Sequence, residues 1–337
     1  MSKITLIGID TAKNVFHLVG TGGRGNYAYR KQASRRQLLP VLVRLEPCEV
    51  VLEACAASHH WARQIAQIGH RVRLISPQHV KPFRRGQKND YRDAEAIVSA
   101  ALSPGIHFVG VKSIGQQAEQ ALHRVRSRLL SHRNAAASEL RGLLGEYGLA
   151  FNQGIKPLRA GAVRFADSDQ AQALGLAELV WDVLEELDQL QQRLDEYTHR
   201  IEQRVRNDAI SQRLRDELLG VGPLSASALR VKVADVRDFV NGRNFAAYLG
   251  MAPGHRGTGG KVKIGKIRRG PDRYLRQLLI HGARAVVQHL GDKQDPQSCW
   301  LRGVLERRGF NIAVVAQAHK NARQAWAILA KEPAQQS

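Results

Sequence analysis

ITLIGIDTAKNVFHLVG, at residues 4–20, is the stretch of sequence that decides the fold of the N-terminal part of the chain. Two apolar, β-rich runs, at 4–9 and 14–20, flank the short polar link DTAK, and a link of this length is typical of an antiparallel hairpin. Asp10 ends the first run, so a carboxylate stands at the end of an apolar strand. The segment therefore predicts two neighbouring strands with an acid at their edge.

Three further β-rich runs extend this pattern: NYAYRK at 26–31, CEVVLE at 48–53 and RVRLIS at 71–76. The first of them follows the Gly-rich link TGGRG, whereas the other two follow helical stretches. Strands that are joined partly by hairpins and partly by helices make a mixed sheet. The N-terminal part of the chain is therefore predicted to be an α/β domain.

The rest of the chain is mainly helical in pattern. Residues 115–147 are helical and basic, and LLGVGPLSASAL at 218–229 resembles a helix-hairpin-helix module, which offers backbone amides to DNA phosphates. An ordinary turn between two helices has the same pattern. Between 178 and 207 a heptad pattern predicts a coiled coil or helical hairpin, which serves equally to pair two chains or to pack within one. Its members are Val183, Leu187, Leu190, Leu194, Tyr197 and Ile201.

The composition indicates a polyanionic partner. The chain has 337 residues, a length that favours two domains, and its 51 Lys and Arg against 30 Asp and Glu give a net charge of +21. Such a charge favours nucleic acid. An anionic membrane surface is the alternative, but no apolar run reaches the roughly 20 residues that span a bilayer.

The three cysteines form no CxxC pair, which supports neither a disulfide framework nor a Cys-rich zinc site. The opening residues lack the pattern of a signal peptide. We therefore expect a cytoplasmic protein without a membrane partner.

Four acids stand where this layout can bring them together. Asp10 and Glu53 end strands, and Asp90 and Asp93 lie one turn apart at the start of a helical run. If the two strands are neighbours, their carboxyl ends meet at one edge of the sheet, and the helix can close the cluster. Crowded carboxylates repel unless a cation neutralises them, and hard oxygen ligands suit Mg²⁺ or Mn²⁺. Two such ions can activate an attacking oxygen and stabilise a leaving one in phosphoryl transfer.

Each acid taken alone also has a structural explanation, as a turn cap, a solvated strand end or a helix cap. The joint arrangement favours the metal interpretation because a basic segment precedes Asp90 and would bring phosphate towards the acids. This segment contains Lys81, Arg84, Arg85 and Lys88.

Five motifs of the chain, in order, resemble the transposases of the insertion sequence 110 family, in its eleven-eleven branch. They are GIDTAKNVFHLVG at 8–20, LEACAASHHWARQI at 52–65, GHRVRLISPQHVKPFRRGQKNDYRDAEAI at 69–97, HRVRSRL at 123–129 and FAAYLGMAPGHRGTGGKVKIGKIRRGPDRYLRQLLIHGAR at 245–284. The resemblance implies an N-terminal ribonuclease-H-like domain of the resolvase type, a helical coiled-coil linker and a mainly α C-terminal transposase domain that contributes a serine nucleophile. The DEDD residues of the family fall on Asp10, Glu53, Asp90 and Asp93.

With this resemblance we expect the DEDD catalytic domain at 1–150 and the coiled-coil linker at 151–212. The transposase domain, with the helix-hairpin-helix-like segment and a Gly-rich basic loop, is expected at 213–300, and a terminal helix with a disordered tail at 301–337. In the family a structured noncoding RNA of the element, the bridge RNA, pairs with donor and target DNA. The expected protein is thus a metal-dependent recombinase that excises and inserts a mobile element, as a homodimer or homotetramer, at the nucleoid of a prokaryote.

One departure from the family pattern concerns the nucleophile. The expected serine is Gly257, and Thr258 follows it in GTGGK. Three interpretations remain: Thr258 is the nucleophile, this copy is inactive, or metal-activated water cuts the strand. The loop could instead serve as a flexible basic clamp on the phosphate backbone. IRRGPD at 267–272 also departs from the family pattern.

Two further functions remain as alternatives. One is a metal-dependent, structure-specific nuclease of the junction-resolving kind, and the other is a degenerate transposase that binds RNA and DNA without cutting. A sugar-kinase-like ATPase also opens on GID and a hairpin, but its phosphate-binding motifs are missing and the net charge opposes it. The residues that we expect to contact nucleic acid are Lys81, Arg84, Arg85, Lys88, Arg124, Arg126, Arg128, Lys261, Lys263, Lys266, Arg268, Arg269 and Arg273.

Overall fold

The computed structural model describes residues 3–22, 26–84, 89–258, 261–267, 270 and 272–332, with the backbone alone at 255–256, 258 and 261–264. The strands are β1 (Ile4–Thr11), β2 (Val15–Gly22), β3 (Tyr27–Ser34), β4 (Glu49–Glu53), β5 (Arg71–Ile75), β6 (Phe108–Val109), β7 (Pro253–Thr258) and β8 (Lys261–Ile267). The α-helices are α1 (Leu38–Val43), α2 (Ser58–Gln67), α3 (Pro77–Val80), α4 (Asp90–Leu102), α5 (Ile114–Gly145), α6 (Ile155–Ala166), α7 (Asp169–Ala173), α8 (Ala177–Arg206), α9 (Ala209–Glu217), α10 (Pro223–Lys232), α11 (Gly242–Tyr248), α12 (Arg273–Gln288), α13 (Pro296–Arg308) and α14 (Phe310–Leu329). Short 3₁₀ turns lie at Lys81–Phe83 and Val236–Asp238.

The N-terminal strands form one six-stranded sheet in the order β3-β2-β1-β4-β5-β6. β1, β2 and β3 are antiparallel, β4 and β5 run parallel to β1, and β6 is antiparallel to β5. The predicted mixed sheet is therefore confirmed. β1 and β4 are neighbours, with Ile9 opposite Leu52, which is the adjacency that the acidic cluster requires.

The two faces of this sheet carry different helices. Because side chains alternate along a strand, Ile7 and Ile9 enter one core together with Trp61 of α2, whereas Leu6 enters a second core together with Ile97 of α4. The sheet is thus covered on both faces, which explains the near-continuous apolar composition of its central strands.

The chain forms two compact units, each made of separate segments of sequence. The first contains residues 1–117, 232–248 and 326–337, and the second contains 118–231 and 249–325. The first unit holds the sheet, and the second is mainly helical with the β7–β8 hairpin. The domain boundaries expected at 150, 212 and 300 stay a prediction.

Helix α8 carries the predicted heptad pattern, and three of its six members are buried inside the second unit. Leu187, Leu194 and Ile201 are buried, and Leu187 shares a core with Leu140 of α5 and Phe165 of α6. The pattern therefore packs within the chain, while a coiled-coil linker stays a prediction. None of the described helices has the length and apolar character needed to cross a bilayer.

The segment that resembles a helix-hairpin-helix module folds as two helices, α9 and α10, joined by residues 218–222. Gly220 has a φ of +80°, and a Cβ added to Gly282 of α12 would stand 1.9 Å from the Gly220 carbonyl oxygen. The Leu219 carbonyl accepts a hydrogen bond from the Asn321 amide at 2.8 Å. The turn is therefore held against α12 and α14, and its role in DNA binding stays a prediction.

Helix α4 packs on β1 at a glycine. Gly8 is buried in the middle of β1, and a Cβ at this position would stand 2.7 Å from both the Ala94 carbonyl oxygen and the Val98 Cγ2 atom. The helix backbone can approach the strand this closely because Gly8 has no side chain. Asp10 lies two residues beyond Gly8 and Asp93 directly precedes Ala94, so this contact sets the separation of two of the predicted acids.

Gly8→Ala should lower the free energy of unfolding by about 1–3 kcal/mol, because the added Cβ has no room and α4 must move outward. Urea unfolding of the whole chain measures this change. Gly115→Ala is the matched control in the same unit, because its Cβ would meet only the Ser113 hydroxyl, at 3.8 Å. The control should be neutral or slightly stabilising, and equal stability of the two variants would show that the contact at Gly8 is not tight.

Candidate metal site at the edge of the sheet

Three segments of the first unit bring acids to one edge of the sheet. β1 and β4 are parallel neighbours, so Asp10 and Glu53 lie at the same, carboxyl, ends of their strands. Helix α4 begins at Asp90 and carries Asp90 and Asp93 in its first turn, where a carboxylate interacts favourably with the helix dipole. Asn89 caps this helix, since its side chain accepts a hydrogen bond from the Tyr91 amide at 3.0 Å.

Three of the four acids converge directly. One carboxylate oxygen from each of Asp10, Asp90 and Asp93 lies within 4.8 Å of the other two. Asp10 and Asp93 are partly buried and Asp90 is exposed. Burial first, and then the charges of Asp93, Asp90 and Glu53, raise the pKa of Asp10 above its usual range. The cluster thus holds more negative charge than its partly buried surroundings favour.

These residues fit a hard divalent cation. The three converging ligand atoms are all carboxylate oxygens, which Mg²⁺ and Mn²⁺ prefer over the nitrogen and sulfur atoms that suit zinc. The raised pKa of Asp10 reflects burial first and then repulsion by the neighbouring carboxylates, and a bound cation would relieve that repulsion. The donor set and the electrostatics therefore agree with the metal that the sequence predicts.

Glu53 is linked to this group through an arginine. Its Oε2 atom lies 2.9 Å from Nη2 of Arg84, and Nε of the same arginine lies 3.1 Å from Oδ1 of Asp93. The side chains of Glu53 and Asp93 are each only 14% exposed. Glu53 is also close enough to contribute to the raised pKa of Asp10.

His17 is a neighbour of this site that the sequence did not single out. It lies opposite Asp10 in the β1–β2 pairing, and its Nδ1 atom is 3.8 Å from the Asp90 carboxylate. The buried imidazole packs edge-on against Tyr91 of α4. A polar residue in the middle of the apolar run VFHLV is the signal that the sequence offers. The strand register then shows that His17 lies beside Asp10.

The basic segment before α4 is described only in part. Lys81 is exposed on its 3₁₀ turn, where it could contact nucleic acid, whereas Arg84 is engaged by the acids. Arg85 and Lys88 lie outside the described residues.

The three predicted arginines of α5 differ in their surroundings. Arg124 and Arg128 are exposed and can meet solvent or phosphate. Arg126 donates to the Thr198 hydroxyl of α8 at 2.8 Å and to the hydroxyl of Tyr274. It therefore links helices of the second unit.

The Gly-rich loop belongs to the second unit and contains the β7–β8 hairpin, in which Thr258 pairs with Lys261. Gly257 is exposed, and the side chain of Thr258 lies outside the described part of the chain. The remaining predicted contacts also fall here. Lys266 and Arg273 are exposed, the side chains of Lys261 and Lys263 are not described, and Arg268 and Arg269 lie outside the described residues.

Two family models match the chain. A model described as "Transposase", for DEDD enzymes of the IS110 type, matches residues 7–149, and one described as "Transposase IS116/IS110/IS902 family" matches residues 212–297. The first match contains all four acids, and the second contains the Gly-rich loop.

Similar proteins match along nearly the whole chain. A "probable family 20 transposase" of Pseudomonas aeruginosa is 44% identical over 332 residues, which cover 98% of each chain. The transposase for insertion sequence element IS1111A of Coxiella burnetii is 37% identical, over 98% of this chain and 91% of its own. The transposase for element IS1328 of Yersinia enterocolitica is 37% identical over 97% of both chains.

Proposed function

The chain belongs to the IS116/IS110/IS902 family of transposases, and on this premise we propose that its four acids hold Mg²⁺ or Mn²⁺ for the cutting and joining of DNA strands. Family membership makes it an enzyme of DNA transposition. The convergence of the Asp10, Asp90 and Asp93 oxygens within 4.8 Å carries the proposal. The strand order and the helices on both faces support a ribonuclease-H-like domain of the resolvase type.

The ligands of the proposed site come from rigid elements. Asp10 and Glu53 are positioned by strand pairing, and Asp90 and Asp93 by the first turn of α4. Ligands on strands and helices hold their geometry better than ligands on loops. When bound, the metal supplies positive charge to the scissile phosphate and to the leaving oxygen.

We assign the nucleophile to Thr258, in place of the serine that the family pattern has at Gly257. Its hydroxyl oxygen would form a new bond to phosphorus as the bond to the strand oxygen breaks, and the hydroxyl proton passes to that leaving oxygen. The phosphodiester energy is then kept for rejoining. The position of Thr258 at the end of β7, next to Gly257 and followed in the sequence by two further glycines, supports this assignment.

We also propose that an RNA encoded by the element guides the choice of donor and target DNA. Base pairing then selects the sequence, and the protein needs to bind only shape and charge. The net charge of +21 and the exposed Arg124 and Arg128 on α5 support this role.

We also propose that the protein assembles as a homodimer or homotetramer and acts on DNA in the cytoplasm. Large apolar side chains that are exposed on a folded chain often mark contacts between proteins. Leu179 and Trp181, near the start of α8, are 43% and 44% exposed and support such self-association.

A structure-specific nuclease of the junction-resolving kind is the second candidate. Gly257 favours it, because an enzyme that hydrolyses with water needs the acidic site but no hydroxyl nucleophile. A degenerate transposase, which binds RNA and DNA without cutting, is distinguished by the same experiments.

Asp10→Asn should reduce Mg²⁺-dependent strand cleavage by at least about 100-fold, because the variant loses a metal ligand. RNA affinity should stay unchanged, because the basic surfaces remain. Cleavage of labelled donor DNA, with the noncoding RNA that flanks the element, measures the first effect, and filter binding measures the second.

Glu46→Gln is the control for this experiment. Glu46 precedes β4, at the other end of that strand, and its side chain is 71% exposed and pairs with Lys3 at 3.2 Å. The control removes the same charge and should cleave like the parent protein. Full cleavage by Asp10→Asn would rule out the proposed metal site.

A covalent adduct should form between Thr258 and the cut strand, and peptide mapping of denatured reactions by mass spectrometry should locate it. Thr258→Val should abolish the adduct, because valine has the same shape without the hydroxyl, and Thr258→Ser should retain it. Metal-dependent cutting without an adduct would replace the transposase mechanism with hydrolysis. RNA binding without any cutting would indicate the degenerate binder.

A further inference from the structure

Arg84 places a positive charge between two acids of the proposed metal site. Its Nη2 atom is 2.9 Å from Glu53 and its Nε atom is 3.1 Å from Asp93, so one guanidinium bridges two carboxylates from different elements. The acids are each 14% exposed, whereas the arginine is 45% exposed. The guanidinium therefore covers two nearly buried carboxylates from the solvent side.

This bridge occupies one oxygen of each of two acids, Glu53 and Asp93, that a metal held by all four acids would share. Arginine keeps its charge at all physiological pH values, and its planar fork suits two carboxylates at once. A single positive charge cannot neutralise four acids. Arg84 pairs with Glu53 and Asp93, whereas Asp10 and Asp90 converge on Asp93 from another direction. Arg84 thus places a positive charge on the Glu53 side of the cluster.

The backbone of Arg84 is anchored, whereas its side chain is 45% exposed. Its amide donates to the Lys81 carbonyl at 3.3 Å, at the end of the 3₁₀ turn. Ion pairs of this exposure contribute little individually, so a divalent cation with several carboxylate ligands can replace them.

We propose that Arg84 is the resident counter-ion of the acidic site and competes with the divalent cation for Glu53 and Asp93. The inference rests on the proposed metal function. In the metal-free protein Arg84 keeps the two acids together, and binding of the divalent cation displaces it towards solvent.

Titration calorimetry of Mn²⁺ into the full chain tests this proposal. Arg84→Gln should bind Mn²⁺ about three- to ten-fold more tightly than the parent protein, because the guanidinium no longer competes for Glu53 and Asp93. Without metal, the same variant should have a lower melting temperature, because the acids lose their counter-ion. Saturating Mn²⁺ should remove most of that difference.

Arg30→Gln is the matched control. Arg30 pairs with Glu95 on the same helix, two residues beyond Asp93, and its side chain is 57% exposed. This variant loses the same charge near α4 without touching the cluster, so its Mn²⁺ affinity should equal that of the parent. Arg84→Lys keeps a charge but loses the fork, and its affinity should lie between those of the parent and Arg84→Gln.

Each outcome decides the inference. Equal or weaker Mn²⁺ binding by Arg84→Gln than by Arg30→Gln would overturn the role of Arg84 and leave the metal site intact. If the parent binds no Mn²⁺ and its titration matches that of Asp10→Asn, the proposed metal function fails and the inference fails with it. If Arg84→Gln does not fold, the Mn²⁺ affinity of Arg84→Lys is compared with that of the parent. Tighter binding by Arg84→Lys supports the role of Arg84, and equal or weaker binding overturns it.

Discussion

The close approach of α4 to β1 at Gly8 is the constraint on which the acidic site depends. A strand residue with a side chain would hold the helix further away, since a Cβ at Gly8 would stand 2.7 Å from the Ala94 carbonyl oxygen. With glycine there, the first turn of α4 reaches the end of β1, and Asp93 meets Asp10. Packing in the core of the first unit thus determines the distance between charged groups at its surface.

This packing concentrates negative charge, and the repulsion between the carboxylates is electrostatically unfavourable. Burial and three neighbouring carboxylates raise the pKa of Asp10, which means that the folded protein disfavours its ionised form. Proteins tolerate such repulsion where function needs it and where a cation can compensate. On our account Arg84 compensates in the metal-free protein and the divalent cation does so in the active one. The mutually repelling carboxylates and Arg84 beside them then serve the same reaction.

Much of the first unit could be predicted from the sequence, because its signals are local. The apolar runs at 4–9, 14–20 and 48–53 predict strands, and short or helical connections predict which pairs are antiparallel. Gly8 inside a strand is itself a signal of close backbone approach. The position of Asp10 and Glu53 at strand ends follows from the same pattern.

The partners of long or unexpected polar side chains could not be predicted in this way. Arg84 is one of several basic residues in its segment, and the tertiary fold alone decides that it turns to Glu53. Helical periodicity does not say which face of α5 is covered, so it could not predict that Arg126 donates to Thr198. His17 depends on the register between β1 and β2, which pairs it with Asp10.

Anomalous diffraction from crystals of the full chain grown with Mn²⁺ tests directly whether the acidic cluster binds a divalent cation in place of Arg84. We predict an anomalous peak among the carboxylates of Asp10, Asp90 and Asp93, with Glu53 turned to it and Arg84 displaced from Glu53 and Asp93. No peak at saturating Mn²⁺, with Arg84 still bridging Glu53 and Asp93, would show that the acids do not hold the cation.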